Sequence, residues 1–386
     1  MRKRILFICY GLGIGGIETC FVNLLNQLSV LEADIDVLLM NPIFDLKDRI
    51  VAENVHFIPQ FDYVLNTTDV MPYIQKHGGI IRNFNIFFRY ILFRLAVKFG
   101  FMNPWMLFKA LSTDYDTAVV YAKSSYAPFY AIDKVNAKKK ILWNHEGVYE
   151  FPKKKYKLDK EYFPRFDKIV SVSTDSMNNL CEYFPVREKS VVIKNVVDVR
   201  YIRSKATEFV PLSYSSDYVN IVTVGRLVEQ KKPDWAIAVC ANLVKMGYKI
   251  KWHWVGNGNL EKDVRESIDE NNLADSFILE GDQINPYPFI NYADIYVQSS
   301  RHEAYCTTIT EAKVLYKPII TTDVGGMRDQ IEDGATGVIT EVSVDALTKA
   351  VASMIDNKEE RHRISSKLKE EDYENSIDPY IHILFD

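Results

Sequence analysis

The stretch Asp294-Ile295-Tyr296-Val297-Gln298-Ser299-Ser300, followed after Arg301-His302 by Glu303-Ala304-Tyr305-Cys306-Thr307-Thr308-Ile309-Thr310-Glu311, reads as a short buried strand that hands over to a helix. Strand-to-helix loops are where parallel α/β proteins bind ligands. The helix runs into Lys313-Val314-Leu315-Tyr316 and is closed by Pro318, and Thr308 with Glu311 fits a Ser/Thr-x-x-Glu capping box, which predicts a helix start near Thr308. Glu303 then sits in the loop and Glu311 in the first turn or so. A fully helical path between them would rise about 12 Å, so they are not a closely spaced acid/base pair. They suit an elongated polar ligand held at both ends, with an anion over the helix N-terminus.

Working outward, both halves of the chain alternate β-rich runs with helical stretches, the pattern of doubly wound parallel sheets. The first half predicts strands near 4–9, 35–40, 55–58, 117–121, 140–143, 168–173 and 190–193. The second restarts at 219–224, follows with a helix over 233–246, and continues with strands at 249–255, 277–279, 294–299 and 318–322. Residues 199–218 are polar and contain Pro211, which makes them the linker candidate. A chain of 386 residues exceeds the size of one core, so two domains are expected.

The net charge of −4 conceals an asymmetry: residues 1–205 carry 29 Lys+Arg against 21 Asp+Glu, and residues 206–386 carry 18 against 30. The halves face different partners or each other. The five cysteines are scattered, with no CxxC or metal-like spacing, which points to a reducing cytoplasm and excludes a disulfide framework or structural zinc. The apolar run after Arg2-Lys3-Arg4 stops at Gly11, too early for a signal peptide. Residues 80–111 are rich in Phe, but Arg82, Arg89, Arg94 and Lys98 break any membrane span. Drawn as a helix, Phe84, Phe88, Ile91, Leu92, Leu95 and Phe99 share one charge-free arc. That arc faces either the core or an anionic membrane surface.

Three loops carry the remaining chemistry. Gly11-Leu12-Gly13-Ile14-Gly15-Gly16-Ile17-Glu18 follows the first strand and lets a phosphate approach backbone and helix end, or else makes a tight packing turn. No acid ends the second strand at Val37-Leu38-Leu39-Met40-Asn41, which disfavours a nicotinamide cofactor. Gly225-Arg226-Leu227-Val228-Glu229-Gln230-Lys231 sets two cations in a strand-to-helix loop, able to converge on a phosphate or to remain a solvated basic loop. His145, in Trp143-Asn144-His145-Glu146, ends another strand and is either structural or a site residue. Asp34-Ile35-Asp36 and Asp114-Tyr115-Asp116 match a DxD pattern but precede their strands, so they read as turn or cap residues and no catalytic metal is expected.

Together these residues resemble a glycosyltransferase of the GT-B fold, most similar to family 4, over nearly the whole chain. The resemblance rests on Gly15-Gly16-Ile17-Glu18, His145-Glu146, Val170-Ser171-Val172-Ser173, Asn195-Val196-Val197-Asp198, Val224-Gly225-Arg226-Leu227 with Lys231, the Glu303/Glu311 pair, and Thr322-Asp323-Val324-Gly325-Gly326 through Glu332 to Gly337. It implies an α/β architecture of two Rossmann-like parallel-sheet domains facing each other across a cleft. The domains are set at 1–200 on the acceptor side and 201–370 on the nucleotide-sugar side, with 371–386 packing back on the first.

The family is retaining and takes nucleotide-sugar donors as substrate, with no cofactor. The resemblance implies that Arg226, Lys231, His145 and Glu303 are catalytic and that Gly15, Gly16, Cys306, Thr307, Thr308 and Glu311 bind the donor. Within that set, Arg226 and Lys231 neutralise the departing diphosphate, Gly16 gives it an N–H, Glu311 holds the ribose, and Glu303 and the N–H groups of residues 306–308 hold the sugar. His145 lies by its reacting face. Ala304 and Cys306 depart from the Gly and Gly/Pro usual at those positions, which leaves the sugar open. The expected donor is a UDP-sugar in preference to a GDP-sugar, and the expected acceptor is a glycan or lipid-linked glycan in surface polysaccharide synthesis. The expected location is cytoplasmic, peripheral on the inner membrane face through residues 80–111, with no nucleic acid as partner. A sugar phosphorylase of the same fold, an epimerase of a related one, or a nucleotide-sugar sensor or non-catalytic subunit are the other classes.

Overall fold

The computed structural model describes residues 2–59, 70–100, 102–123, 126–149, 153–374 and 376–386. It divides into two compact units, Met1–Val196 with Ser376–Asp386, and Val197–Asn375.

The first unit is built on β1 (Lys3–Cys9), β2 (Ala33–Leu39), β3 (Val55–Phe57), β4 (Asp114–Val120), β5 (Asn136–Asn144), β6 (Lys168–Ser171) and β7 (Ser190–Val192). They form a parallel sheet in the order β3-β2-β1-β4-β5-β6-β7. Parallel strands covered on both faces must be apolar throughout, and Ile5 to Cys9 are buried without alternation. The order reverses between β1 and β4, and the glycine loop leaves β1 at that switch point. Helix Gly16–Gln27 follows, with Phe21 packed against Phe7 (ring centroids 5.5 Å apart) and Tyr121 (4.7 Å).

The second unit contains β8 (Val219–Val224), β9 (Ile250–Val255), β10 (Phe277–Gly281), β11 (Ile295–Gln298), β12 (Ile319–Thr322) and β13 (Val338–Thr340), all parallel, in the order β10-β9-β8-β11-β12-β13. Its switch point lies between β8 and β11. Both charged loops of the sequence reading leave these two strands, which brings them to one crevice at the carboxyl edge of the sheet. The sequence reading located twelve of these thirteen strands and missed β13, three residues set among glycines.

One expectation is corrected, and one open reading is narrowed. Residues 199–205, taken as linker, form a helix, Val199–Lys205, because the Asp198 carboxylate accepts the Tyr201 N–H at 2.8 Å and Ile202 buries into the second unit's core. In helix Phe84–Phe99 the charge-free arc does not face the core: Phe84, Phe88 and Phe99 are 63%, 52% and 66% exposed, while Tyr90, Phe93 and Ala96 are buried on the other side. Arg89, half-buried, is satisfied because its Nε donates to the Leu107 carbonyl at 2.9 Å, while Arg94 is exposed and donates to the Tyr90 hydroxyl at 3.2 Å. Phe101, in the same region, lies outside the described residues. Among the described residues no helix is long and apolar enough to cross a membrane.

Candidate functional site

In the second unit, β8 is followed by Gly225-Arg226, and β11, ending at Gln298, is followed by Ser299-Ser300. Between them lies a buried ion pair: Lys231 Nζ stands 2.5 Å from Glu303 Oε1, with side chains 15% and 7% exposed. Burial opposes the charge on Lys231, but Glu303 outweighs it and holds the amine above its ordinary range. The Ser300 hydroxyl donates to the same Oε1 at 2.6 Å and accepts from Gln298 Nε2 at 2.9 Å. Gln298 Oε1 in turn lies 2.8 Å from the Tyr296 hydroxyl, which also reaches Thr308 Oγ1 at 2.7 Å. A continuous buried polar chain thus ties Lys231 and Glu303 to the start of helix Thr307–Val314.

Two glycines shape this crevice by close approach. Gly325 has φ +49, and a Cβ there would stand 1.7 Å from the Glu303 carbonyl oxygen. Gly256, at φ +126, would collide with the Gly225 carbonyl at 2.4 Å, the same oxygen that accepts from Trp254 Nε1 at 2.8 Å. Neither position admits a side chain. Arg226, by contrast, is exposed at the rim of its loop.

The helix cap lies two residues earlier than the capping box predicts. Cys306 is its N-cap and supplies no side-chain cap, while Thr308 lies inside the first turn with its hydroxyl engaged by Tyr296 and by Cys306 Sγ, 3.2 Å away. Cys306 is buried, its thiol pushed up by burial, and its side chain turns into the protein. Its N–H donates to Gln330 Oε1 at 2.9 Å. Glu311 is buried on the same helix. The arrangement offers an uncapped helix end, a buried lysine and an exposed arginine, which together can hold an anion, beside a carboxylate able to accept from hydroxyl groups.

In the first unit Gly15 is the N-cap of helix Gly16–Gln27, again without a side-chain cap, and Gly16 is exposed. His145 follows β5. Its ring lies 4.8 Å from that of Tyr121, and burial, opposed by the Tyr121 backbone, pushes its pKa to about 3. It is therefore neutral near pH 7. The neighbouring Glu146 carboxylate pairs with Lys123 Nζ at 2.6 Å; Lys123 is buried over the Tyr149 ring at 3.5 Å, and burial lowers it to about 8. Asp159 is fully buried with neither oxygen hydrogen-bonded among the described residues, and burial raises it to about 7.

The structure thus gathers Arg226, Lys231, Glu303, Cys306, Thr307, Thr308 and Glu311 in the second unit, and Gly15, Gly16 and His145 in the first. The two DxD runs begin β2 and β4, where Asp36 accepts from the Tyr115 hydroxyl at 2.8 Å and Asp116 pairs with Lys138 at 2.7 Å. Sequence reasoning missed Gln298, Ser300, Gln330, Lys123 and Asp159. Polar residues closing a buried strand could have signalled the first two; nothing local marks the others.

Residues 205–371 match the family model described as glycosyl transferases group 1. The chain is 27% identical over 219 residues to an uncharacterized glycosyltransferase of Methanocaldococcus jannaschii, covering 52% of this chain and 53% of that one. It is 23% identical over 387 residues to the N-acetylgalactosamine-N,N'-diacetylbacillosaminyl-diphospho-undecaprenol 4-alpha-N-acetylgalactosaminyltransferase of Campylobacter jejuni, covering 96% and 94%. The match thus spans about half of the first relative and nearly all of the second. Among solved structures it is similar to Anabaena Alr3699/HepE in complex with UDP-glucose, with TM-score 0.71, 15% identity, and coverage of 96% and 94%. That likeness is one of fold.

Proposed function

We propose that this chain, whose residues 205–371 match the glycosyl transferases group 1 model and whose two units have the GT-B fold, is a glycosyltransferase that moves a sugar with retention from a nucleoside-diphosphate sugar, UDP in preference to GDP, to a glycan or lipid-linked acceptor of surface polysaccharide synthesis. The observation that carries this reading is the Lys231–Glu303 pair set beside the uncapped start of helix Thr307–Val314. Glycosyl transfer builds negative charge on the leaving diphosphate and positive charge on the sugar, so a fixed cation and a carboxylate at one place serve both ends of the breaking bond.

Arg226 and Lys231 take the diphosphate, Glu303 and the N–H groups of Thr307 and Thr308 take the sugar, and Glu311 takes the ribose hydroxyls. In the first unit the uncapped helix end at Gly15 and Gly16 is assigned to the diphosphate and neutral His145 to the reacting face of the sugar. No side chain is assigned as nucleophile, and no cofactor or metal is invoked. The name of the Campylobacter relative supports a diphospho-polyprenol acceptor, and the exposed Phe84, Phe88 and Phe99 among Arg82, Arg94 and Lys98 support peripheral contact with an anionic membrane. A thermal-shift panel of UDP, GDP, ADP and their sugars tests the donor, because specific binding raises apparent stability by mass action. UDP compounds are expected to stabilise the protein most. Transfer to a polyprenyl-diphosphate-linked glycan, with the anomer read by NMR, tests the rest; a blank in both overturns the proposal.

A further inference from the structure

Gln330 is 5% exposed and lies in sequence far from helix Thr307–Val314, yet it is bound to that helix at four points. Its Oε1 accepts the Cys306 N–H at 2.9 Å, its Nε2 donates to the Cys306 carbonyl at 2.8 Å and to Thr310 Oγ1 at 3.0 Å, and its own carbonyl accepts from Lys313 Nζ at 2.7 Å. The Cys306 N–H can only donate and its carbonyl can only accept, so the amide, with its own acceptor and donor, matches them one for one, as an apolar side chain of that length does not.

An ordinary N-cap holds a helix start by spending its side chain on the first-turn N–H groups. Cys306 does not: its Sγ lies 3.2 Å from Thr308 Oγ1 and 3.6 Å from Gln298 Oε1. The helix end is left uncapped, and the residue before it needs another anchor. Gln330 supplies that anchor from outside, and the contact of Gly325 with the Glu303 carbonyl brings the same segment against the other end of the loop.

We propose that Gln330 is a positioning residue for donor binding: by gripping the backbone of Cys306 it fixes the loop between Glu303 and Thr307 while leaving the first-turn N–H groups of the helix to the diphosphate-sugar. The inference rests on the donor reading above. It separates Gln330 from a packing residue, because what matters is its donor and acceptor pattern and not its volume.

The test compares wild type, Gln330→Leu and Gln330→Glu as full chains, titrated calorimetrically with UDP-glucose near pH 8 and near pH 5.5. In Gln330→Leu, affinity falls roughly tenfold, the scale of one or two buried hydrogen bonds, while the binding-competent fraction stays near unity. In Gln330→Glu the carboxylate faces the Cys306 carbonyl and binding is weak near pH 8. Once protonated, the acid again offers one donor and one acceptor, and affinity returns toward wild type near pH 5.5; Gln330→Leu shows no such recovery. A merely structural role lowers the competent fraction and leaves affinity unchanged at either pH. Unaltered affinity in Gln330→Leu, or no pH-dependent recovery in Gln330→Glu, overturns the inference. A wild-type protein blank against UDP-, GDP- and ADP-sugars alike sinks the donor reading and the inference with it.

Discussion

Lys231 and Arg226 follow the same strand, yet they stand in opposite electrostatic settings. Lys231 is buried against Glu303, whereas Arg226 is exposed. Lys231→Ala should therefore strand a buried carboxylate and lose about 3–5 kcal/mol of stability along with turnover. Arg226→Ala should lower turnover about 10²-fold or more with little change in melting temperature. Parallel measurements of kcat and thermal unfolding check the contrast; equal stability losses would show that burial does not divide the two roles. Asp159 gives a pH signature. Its native pKa, about 7, lies above the ordinary carboxylate value, so the folded state binds the extra proton and stability falls as pH rises from about 4 to about 7. Lys123 and Glu146 are the charged groups facing it, and Lys123 is already paired. Asp159→Asn should thus raise the melting temperature near pH 8 and lose that gain near pH 4, as unfolding scans across pH would reveal. The places of Glu303, Arg226 and Lys231 in loops that follow strands, and of Glu311 in the helix beyond, were legible from spacing. The partners that orient them, Ser300, Gln298 and Gln330, were not, because each acts through a contact that spacing does not encode.

At the level of elements, period and composition located nearly every strand, since a parallel sheet buried on both faces leaves unbroken apolar runs. Local signals failed where a tertiary partner competed. Thr308 looked like an N-cap, but Tyr296 engages its hydroxyl and the cap passes to Cys306. Helix Phe84–Phe99 has apolar residues on both faces, and periodicity alone could not say which one the core would take. The aromatic cluster of Phe108, Trp105 and Tyr126 took Phe93, whose ring lies 5.6 Å from Phe108, and left Phe84 and Phe88 outside. Replacing Phe84, Phe88 and Phe99 together with Ser should abolish flotation with anionic liposomes and hardly change stability, because those side chains are already exposed. Flotation that survives the triple substitution would remove the membrane role from this helix.

On the scale of the molecule, the chain returns to its first unit at the end. Helix Asp378–Phe385 buries Tyr380 against Trp143 (ring centroids 5.1 Å apart, 17° between planes), with the Tyr380 hydroxyl on the Lys194 carbonyl at 2.7 Å and Thr117 Oγ1 on the Leu384 carbonyl at 2.8 Å. Tyr380→Ala should destabilise the first unit by about 3–5 kcal/mol and leave the unfolding of the second where it was. Calorimetry resolving the two transitions decides this; a shift confined to the second would contradict it. By itself the sequence determined two parallel α/β sheets, the strands that carry loops with chemistry, and the charged residues in those loops, because strand burial and loop composition are written locally. Only the tertiary structure decided that Lys231 and Glu303 are paired, that Gln330 holds Cys306, and which face of the Phe-rich helix is bare. Each of these depends on residues distant in the chain competing for the same neighbour, and that competition is settled by packing and hydrogen-bond geometry, not by spacing.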